Sequence, residues 1–186
     1  MRIRALQFFF SLAFFFSAAR VLLAGLSLGQ IYALRFVDVD GDTLLTADGH
    51  LTVVVLTTQS NIDQARAVGD RVPDYCLGNP TYRMITAVNF QKKVAKPTRT
   101  ILRALMRGRL NAEARRLQTR YNEKNITRDA RRDIFAVADF DGAATAQLGA
   151  RFESAAFCTF VFARNGKLLR QWNGVPRAAE LAAVVK

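Results

Sequence analysis

Seven consecutive residues, Thr52–Thr58, read Thr-Val-Val-Val-Leu-Thr-Thr. The run is too short for an ordinary buried helix and is dominated by β-branched side chains. It also lacks the apolar–polar alternation of a strand with one wet face. It predicts a strand buried on both faces, the kind found in parallel sheets covered by helices. The chain around it must therefore supply crossover helices and further strands.

The flanking sequence supplies them. Ser60 or Asn61 can cap a helix over Asn61–Val72, with Asp63 in its first turn and Pro73 beyond it. Tyr82–Phe90 is a second strand, so strand, helix and strand predict a right-handed parallel unit. Upstream, Leu34–Val55 divides into short extended pieces around the turns Asp40-Gly41-Asp42 and Asp48-Gly49-His50. Downstream, Pro97 fits the first turn of a helix running to Arg107. Gly108 is expected to break it, and Asn111 to cap a second helix ending near Lys124.

Ile134–Ala138 is a short strand. Asp139-Phe140-Asp141-Gly142 is a turn, and Ala143–Leu148 is a short helix closed by Gly149. Phe157–Ala163 and Lys167–Trp172 flank Arg164-Asn165-Gly166, where Asn-Gly signals a hairpin. Pro176 opens a final helix to Val185. The order predicts an α/β sandwich: a mixed central sheet flanked by helices, with a basic helical insertion over residues 97–124.

Charge and hydrophobicity are unevenly distributed. Arg2 and Arg4 precede a run of about 15 apolar residues that includes Phe8–Phe10 and Phe14–Phe16. Small residues follow as Ser17-Ala18-Ala19 and again as Ser27-Leu28-Gly29. Residues 1–29 therefore read as a signal peptide or a retained membrane anchor, with the domain over 33–186. Either outcome predicts export to the periplasm or the exterior. The chain carries a formal net charge of +12. Between Lys92 and Arg132, fourteen Lys and Arg face three acids, a net of +11. Outside that segment and the basic N-terminus the domain is close to neutral.

Composition excludes several classes. Two cysteines cannot make a disulfide scaffold or a four-cysteine zinc site, and a single histidine, His50, excludes His-rich metal or haem sites. Asp38-Val39-Asp40-Gly41-Asp42 has carboxylates at calcium-loop spacing, but Gly49 stands where such a loop needs glutamate. No metal and no cofactor is expected.

Three segments carry a family resemblance. Ala33–Thr58 is similar to the opening hairpin and first core strand of redoxins. Ile134–Gly149 resembles their Asp-x-Asp-Gly turn and short helix, and Phe160–Val185 their closing hairpin and last helix. In this order they resemble the thioredoxin-like superfamily, redoxin and peroxiredoxin-like branch. The resemblance implies a reactive cysteine at the start of the helix after the first core strand, where helix dipole and backbone N–H groups make a thiolate. This chain has Thr58-Gln59-Ser60-Asn61 there. Thr58 matches the threonine of the peroxiredoxin Thr-x-x-Cys, while Asn61 stands at the cysteine. The family's cis-proline position is Phe157 or Cys158, depending on register.

The two thiols lie elsewhere. Cys76 follows the first helix, and Cys158 opens the hairpin strand. The predicted topology sets them at opposite ends of their strands, too far apart for a disulfide. Either is a small core residue, or Cys158 is a relocated nucleophile. Arg99, Arg103, Arg107, Arg109, Arg116 and Arg120 form the candidate binding patch, suited to carboxylate or phosphate. The expected partner is an acidic protein or an anionic membrane surface; nucleic acid is disfavoured by the scarcity of aromatics and the compartment. Three functions stay open: a redox-inactive binding or assembly module, a thiol oxidoreductase or peroxidase using Cys158, and a membrane-surface adaptor.

Overall fold

The computed structural model describes residues 25–186. The expected signal or anchor, up to residue 24, lies outside them. Among the described residues, no helix is long and apolar enough to cross a membrane.

The strand that dominates the sequence dominates the fold. β3 (Leu51–Thr58) is the middle strand of a five-stranded sheet, and Thr52–Thr58 are all buried. It pairs in parallel with β4 (Tyr82–Asn89), which pairs in parallel with β5 (Ile134–Asp139). On its other side it pairs antiparallel with β6 (Cys158–Phe162), which continues to β7 (Leu168–Trp172). The sheet order is β5-β4-β3-β6-β7, and β1 (Arg35–Val37) and β2 (Thr43–Leu45) form a separate hairpin.

Helices cover one face and a hairpin with a short helix covers the other. α1 (Ile62–Asp70) and α4 (Ala178–Val184) pack Ala65, Val68 and Leu181 against Val53, Val55, Met84 and Val161. On the opposite face, Phe36 and Leu44 of the hairpin and Ala144 of α3 (Ala143–Gln147) meet Val54, Leu56, Ile85 and Phe160. Alternation along β3 sends Val53 and Val55 one way and Val54 and Leu56 the other. Both sides are apolar because both are covered.

The insertion corrects the expectation of two helices. α2 is one helix, Lys96–Glu123, 28 residues and about 42 Å long. Gly108 does not break it. A Cβ built there would meet nothing within 4 Å, so this glycine faces open space. It costs the helix about 1 kcal/mol relative to alanine, which the packing of Leu110, Ala114 and Tyr121 outweighs. Asn111 is not a cap; its side-chain oxygen accepts from Arg131 Nε at 3.2 Å.

The first helix is also shorter than its sequence pattern. Gln59–Asn61 form a 3-10 turn, and Asn61 is the N-cap of α1 without a side-chain capping bond. At the N-terminal side the fold begins before Ala33. Gly29 N–H donates to Leu168 O at 2.8 Å, Tyr32 N–H to Gly166 O at 2.9 Å, and Ile31 bridges to Lys167. The small residues Ser27-Leu28-Gly29 thus lie beside the β6–β7 hairpin.

Candidate functional site

In an open α/β sheet, ligands and chemistry gather beyond the carboxyl ends of the parallel strands. Here those ends are aligned in register: Thr58 pairs with Asn89, and Asn89 with Asp139. All three polar side chains are buried. Hydrogen bonds within the protein engage each. Asp139 Oδ2 accepts from the Thr145 backbone N–H at 2.9 Å and from Thr145 Oγ1 at 2.5 Å. Asn89 Nδ2 donates to Thr145 Oγ1 at 2.7 Å and to Phe152 O at 3.0 Å. Thr58 Oγ1 shares a 2.8 Å hydrogen bond with Ser60 Oγ. The carboxylate and amide fix the start of α3 and the following loop rather than facing a vacant site. Sequence reasoning explained Asp139 by its turn and missed Asn89; the signal was an asparagine ending an otherwise apolar strand.

The four residues of the expected thiol site are brought to one edge. Asn61 is half-buried at the α1 N-terminus, where a helix dipole would favour an anion. An amide there carries no ionisable proton. Phe157 directly precedes β6 and packs into the α1–α4 core cluster. Every peptide bond among the described residues is trans. Cys158 pairs with Leu56, two residues before Thr58.

Both cysteines are free and buried. Cys76 lies in the α1–α4 cluster and Cys158 in the cluster on the opposite face, so the sheet separates them. Burial pushes the Cys76 thiol up to about 11 and raises Cys158 as well. The Cys158 Sγ donates weakly to Asn173 Oδ1 at 3.6 Å. Desolvation favours the neutral thiol, the reverse of what a nucleophilic cysteine needs.

The only histidine is engaged at the other end of β3. His50 Nδ1 lies 2.9 Å from Asp48 Oδ1. Asp48 also receives Arg83 Nη1 on Oδ2 and Nη2 on Oδ1, each at 2.9 Å. Arg83 Nε donates to Thr52 Oγ1 at 3.1 Å. Partial burial opposes ionisation of Asp48, but the bonds from His50 and Arg83 outweigh it, and its carboxyl lies below the ordinary range. A lone arginine inside the apolar strand Tyr82–Phe90 is the sequence signal that could have found this buried clamp.

The six arginines do not form one free patch. Arg99 donates to Val94 O at 2.8 Å, pairs with Asp141 at 3.5 Å, and lies over the Phe140 ring with Arg103. Arg107 donates to Val39 O at 2.8 Å and pairs with Asp40 at 2.9 Å. Arg116 pairs with Asp70, and Arg120 with Asp74 at 3.5 Å. Arg109 has no acidic partner within 4 Å among the described residues. Between Arg109 and Arg115 runs a different surface: Ile101, Leu105, Gly108 and Ala112, spaced by four, three and four, all exposed. Ile101 and Leu105 are 63% and 59% exposed.

No protein-family model matches the chain, and no curated protein matches it by sequence. Solved structures do resemble it. A candidate thiol:disulfide interchange protein DsbE from Chlorobium tepidum is 12% identical, covering 87% of this chain and 100% of its own, with a TM-score of 0.50. A candidate electron-transfer protein from Aquifex aeolicus VF5 is 16% identical, covering 86% and 92%, also at 0.50. A peroxiredoxin-like protein from Aquifex aeolicus is 11% identical over 87% and 89%, at 0.49. At such identities the likeness is one of fold.

Proposed function

We propose that this chain, whose fold is thioredoxin-like, is a redox-inactive binding module that works outside the cytoplasm. One observation carries the reading: asparagine stands at the helix N-terminus where the redoxin resemblance expects a thiolate, and both existing thiols are buried with raised pKa. Thiol–disulfide exchange requires an accessible thiolate. The competing reading, a peroxidase or oxidoreductase using Cys158, would require that strand end to open first. Titration of the native chain with an aromatic disulfide reagent, with and without peroxide, separates them. The expected result is no fast-reacting thiol until the chain is unfolded. A fast native thiol that is lost in Cys158→Ser, together with turnover of peroxide or disulfide, would overturn the proposal.

The surface offered to a partner is the outer side of α2. Exposed Ile101 and Leu105, with Arg109 one turn beyond Leu105, combine apolar contact with positive charge. That combination suits the interface of an anionic membrane, where each basic residue contributes about 1 kcal/mol. Cosedimentation of the full chain with phosphatidylglycerol vesicles, compared with phosphatidylcholine vesicles, tests it. Binding should fall with salt and drop severalfold in Ile101→Ser/Leu105→Ser. Equal binding by that variant would assign any membrane affinity to another segment and reject the α2 surface.

A further inference from the structure

A cavity of about 200 Å³ opens between the first half of α2, the β1–β2 hairpin and the end of β5. Arg99 and Arg103 line it from α2, Phe36 and Val37 from β1, and Ala138 and Phe140 from β5 and the turn beyond it. Ile101 and Leu105 each follow one of these arginines by two residues, about 200° around the helix. The cavity is therefore separate from the surface proposed to meet a membrane, and nothing in the proposed function uses it.

Two cations converge there. The guanidinium carbons of Arg99 and Arg103 lie 5.5 and 5.6 Å from the centre of the Phe140 ring. The two residues are four apart on one face of α2, a spacing at which like charges repel. Both reach solvent: the Arg99 side chain is 28% exposed, and Arg103 is exposed. Neither is fully bonded. Arg99 Nε donates to Val94 O, but Nη1 meets Asp141 Oδ2 only at 3.5 Å, beyond the roughly 2.7–2.9 Å of a charge-assisted hydrogen bond. Arg103 has no carboxylate and no hydrogen-bond acceptor among the described residues.

The carboxylates in the lining already have donors of their own. Asp139 accepts from the backbone N–H groups of Ala144 and Thr145 at 3.3 and 2.9 Å. Asp38 Oδ1 accepts from Asp40 N–H and Asp42 N–H, both at 2.9 Å, and Asp141 Oδ1 from Ala143 N–H at 3.4 Å. What the cavity lacks is an acceptor for its arginines. Charge limits which acceptor fits. Arg35, Arg99 and Arg103 stand against Asp38, Asp139 and Asp141, so the lining as a whole is balanced and opposes a second negative charge. One charge spread over two oxygens in a plane suits the guanidinium fork. The volume exceeds the roughly 150 Å³ that accommodates benzene.

We propose that this cavity is a binding site for a small monocarboxylate of single-ring size. Its carboxylate bridges Arg99 and Arg103 above the Phe140 ring, and its apolar body rests on Val37.

Benzoate is the probe, with benzamide as its uncharged isostere and inorganic phosphate as the competing anion. Each is titrated into the full chain and followed by ligand-detected NMR or calorimetry. Benzoate should bind saturably, and more tightly than phosphate. Benzamide should bind at least about tenfold more weakly, the smallest loss expected when a charged hydrogen-bond partner is removed. Arg103→Gln should weaken benzoate by a similar factor, whereas Arg170→Gln, at the exposed surface of β7 on the far edge of the sheet, should leave it within twofold. If benzoate does not saturate, or if Arg170→Gln weakens it as much as Arg103→Gln, the site is refuted. If benzamide binds as well as benzoate, or phosphate binds more tightly, the carboxylate assignment is refuted. The comparison of benzoate with benzamide uses the unaltered chain, so it decides the assignment even should Arg103→Gln misfold.

Discussion

Arg83 grips Asp48 through two parallel N–H···O bonds of 2.9 Å, one to each carboxylate oxygen. Arg83 also donates to Leu45 O and to Thr52 Oγ1, so one buried guanidinium ties the β1–β2 hairpin to β3 and β4. The fork geometry of arginine is what permits this, and lysine could not reproduce it.

The clamp predicts a specific acid sensitivity. The folded-state pKa of Asp48 is lowered, so its contribution is complete above the ordinary carboxylate value of about 3.9 and is lost as pH falls through the lower folded value. Asp48→Asn should cost about 3 kcal/mol at pH 7, because it leaves Arg83 buried without its counter-charge. Its deficit relative to wild type should shrink as pH falls below about 3.9. Urea unfolding of both proteins at pH 7 and pH 3 measures this. A deficit that is the same at both values would show that the pair contributes nothing through its charge.

At the alkaline end the sign reverses, and the thiols set the window. Cys76 is raised to about 11 in the folded chain, so the native state keeps a proton that the unfolded chain gives up near 9. The stability it confers is complete below 9 and declines as pH rises toward 11. Cys76→Ala should lessen the decline between pH 9 and 10, the rest coming from Cys158, whose thiol burial also raises, below the range where burial-raised Tyr82 and Tyr121 begin to contribute. Thermal melts across pH 7–10 are the measurement. An unchanged slope in the variant would place the alkaline transition on another group.

Much of this architecture was legible from the sequence because it rests on local, one-dimensional signals. The β-branched run at Thr52–Thr58, the Asn165-Gly166 hairpin and the Asp139–Gly142 turn each specify their own geometry without help from distant residues. α2 departs from its sequence pattern for a physical reason. A glycine is a helix breaker only when nothing offsets its entropy, and the contacts of Leu110 and Tyr121 with residues far away in sequence are invisible to a local rule. The ion pairs of the basic helix were hidden from the sequence for the same reason. Arg107 finds Asp40 and Arg116 finds Asp70, and those partners are brought near only by the fold. That Asn61 carries no sulfur is read directly from the sequence.

The continuous α2 helix makes a stability prediction of its own. Gly108 lies in the helix interior, has no positive φ, and faces open space. Gly108→Ala should stabilise the chain by about 0.5–1 kcal/mol, by restricting the unfolded chain and raising helix propensity. A denaturant midpoint that rises with unchanged slope is the expected reading. A lower midpoint would mean that α2 is interrupted at this position, as the local sequence pattern suggests.

The polar row at the strand ends makes the last prediction. Thr145 Oγ1 is the link between Asp139, to which it donates, and Asn89, from which it accepts. Thr145→Val keeps the shape but removes both bonds, leaving a buried carboxylate and a buried amide each short of a partner. The cost should be about 2–3 kcal/mol, above the usual contribution of one hydrogen bond. Asn89→Ala should cost less in the Thr145→Val background than in wild type, because the two share a bond and their effects cannot add. A double-mutant cycle by urea unfolding reads that coupling directly. A coupling energy near zero would mean that the row does not hold α3 to the sheet, and would reopen these strand ends as a site for a ligand.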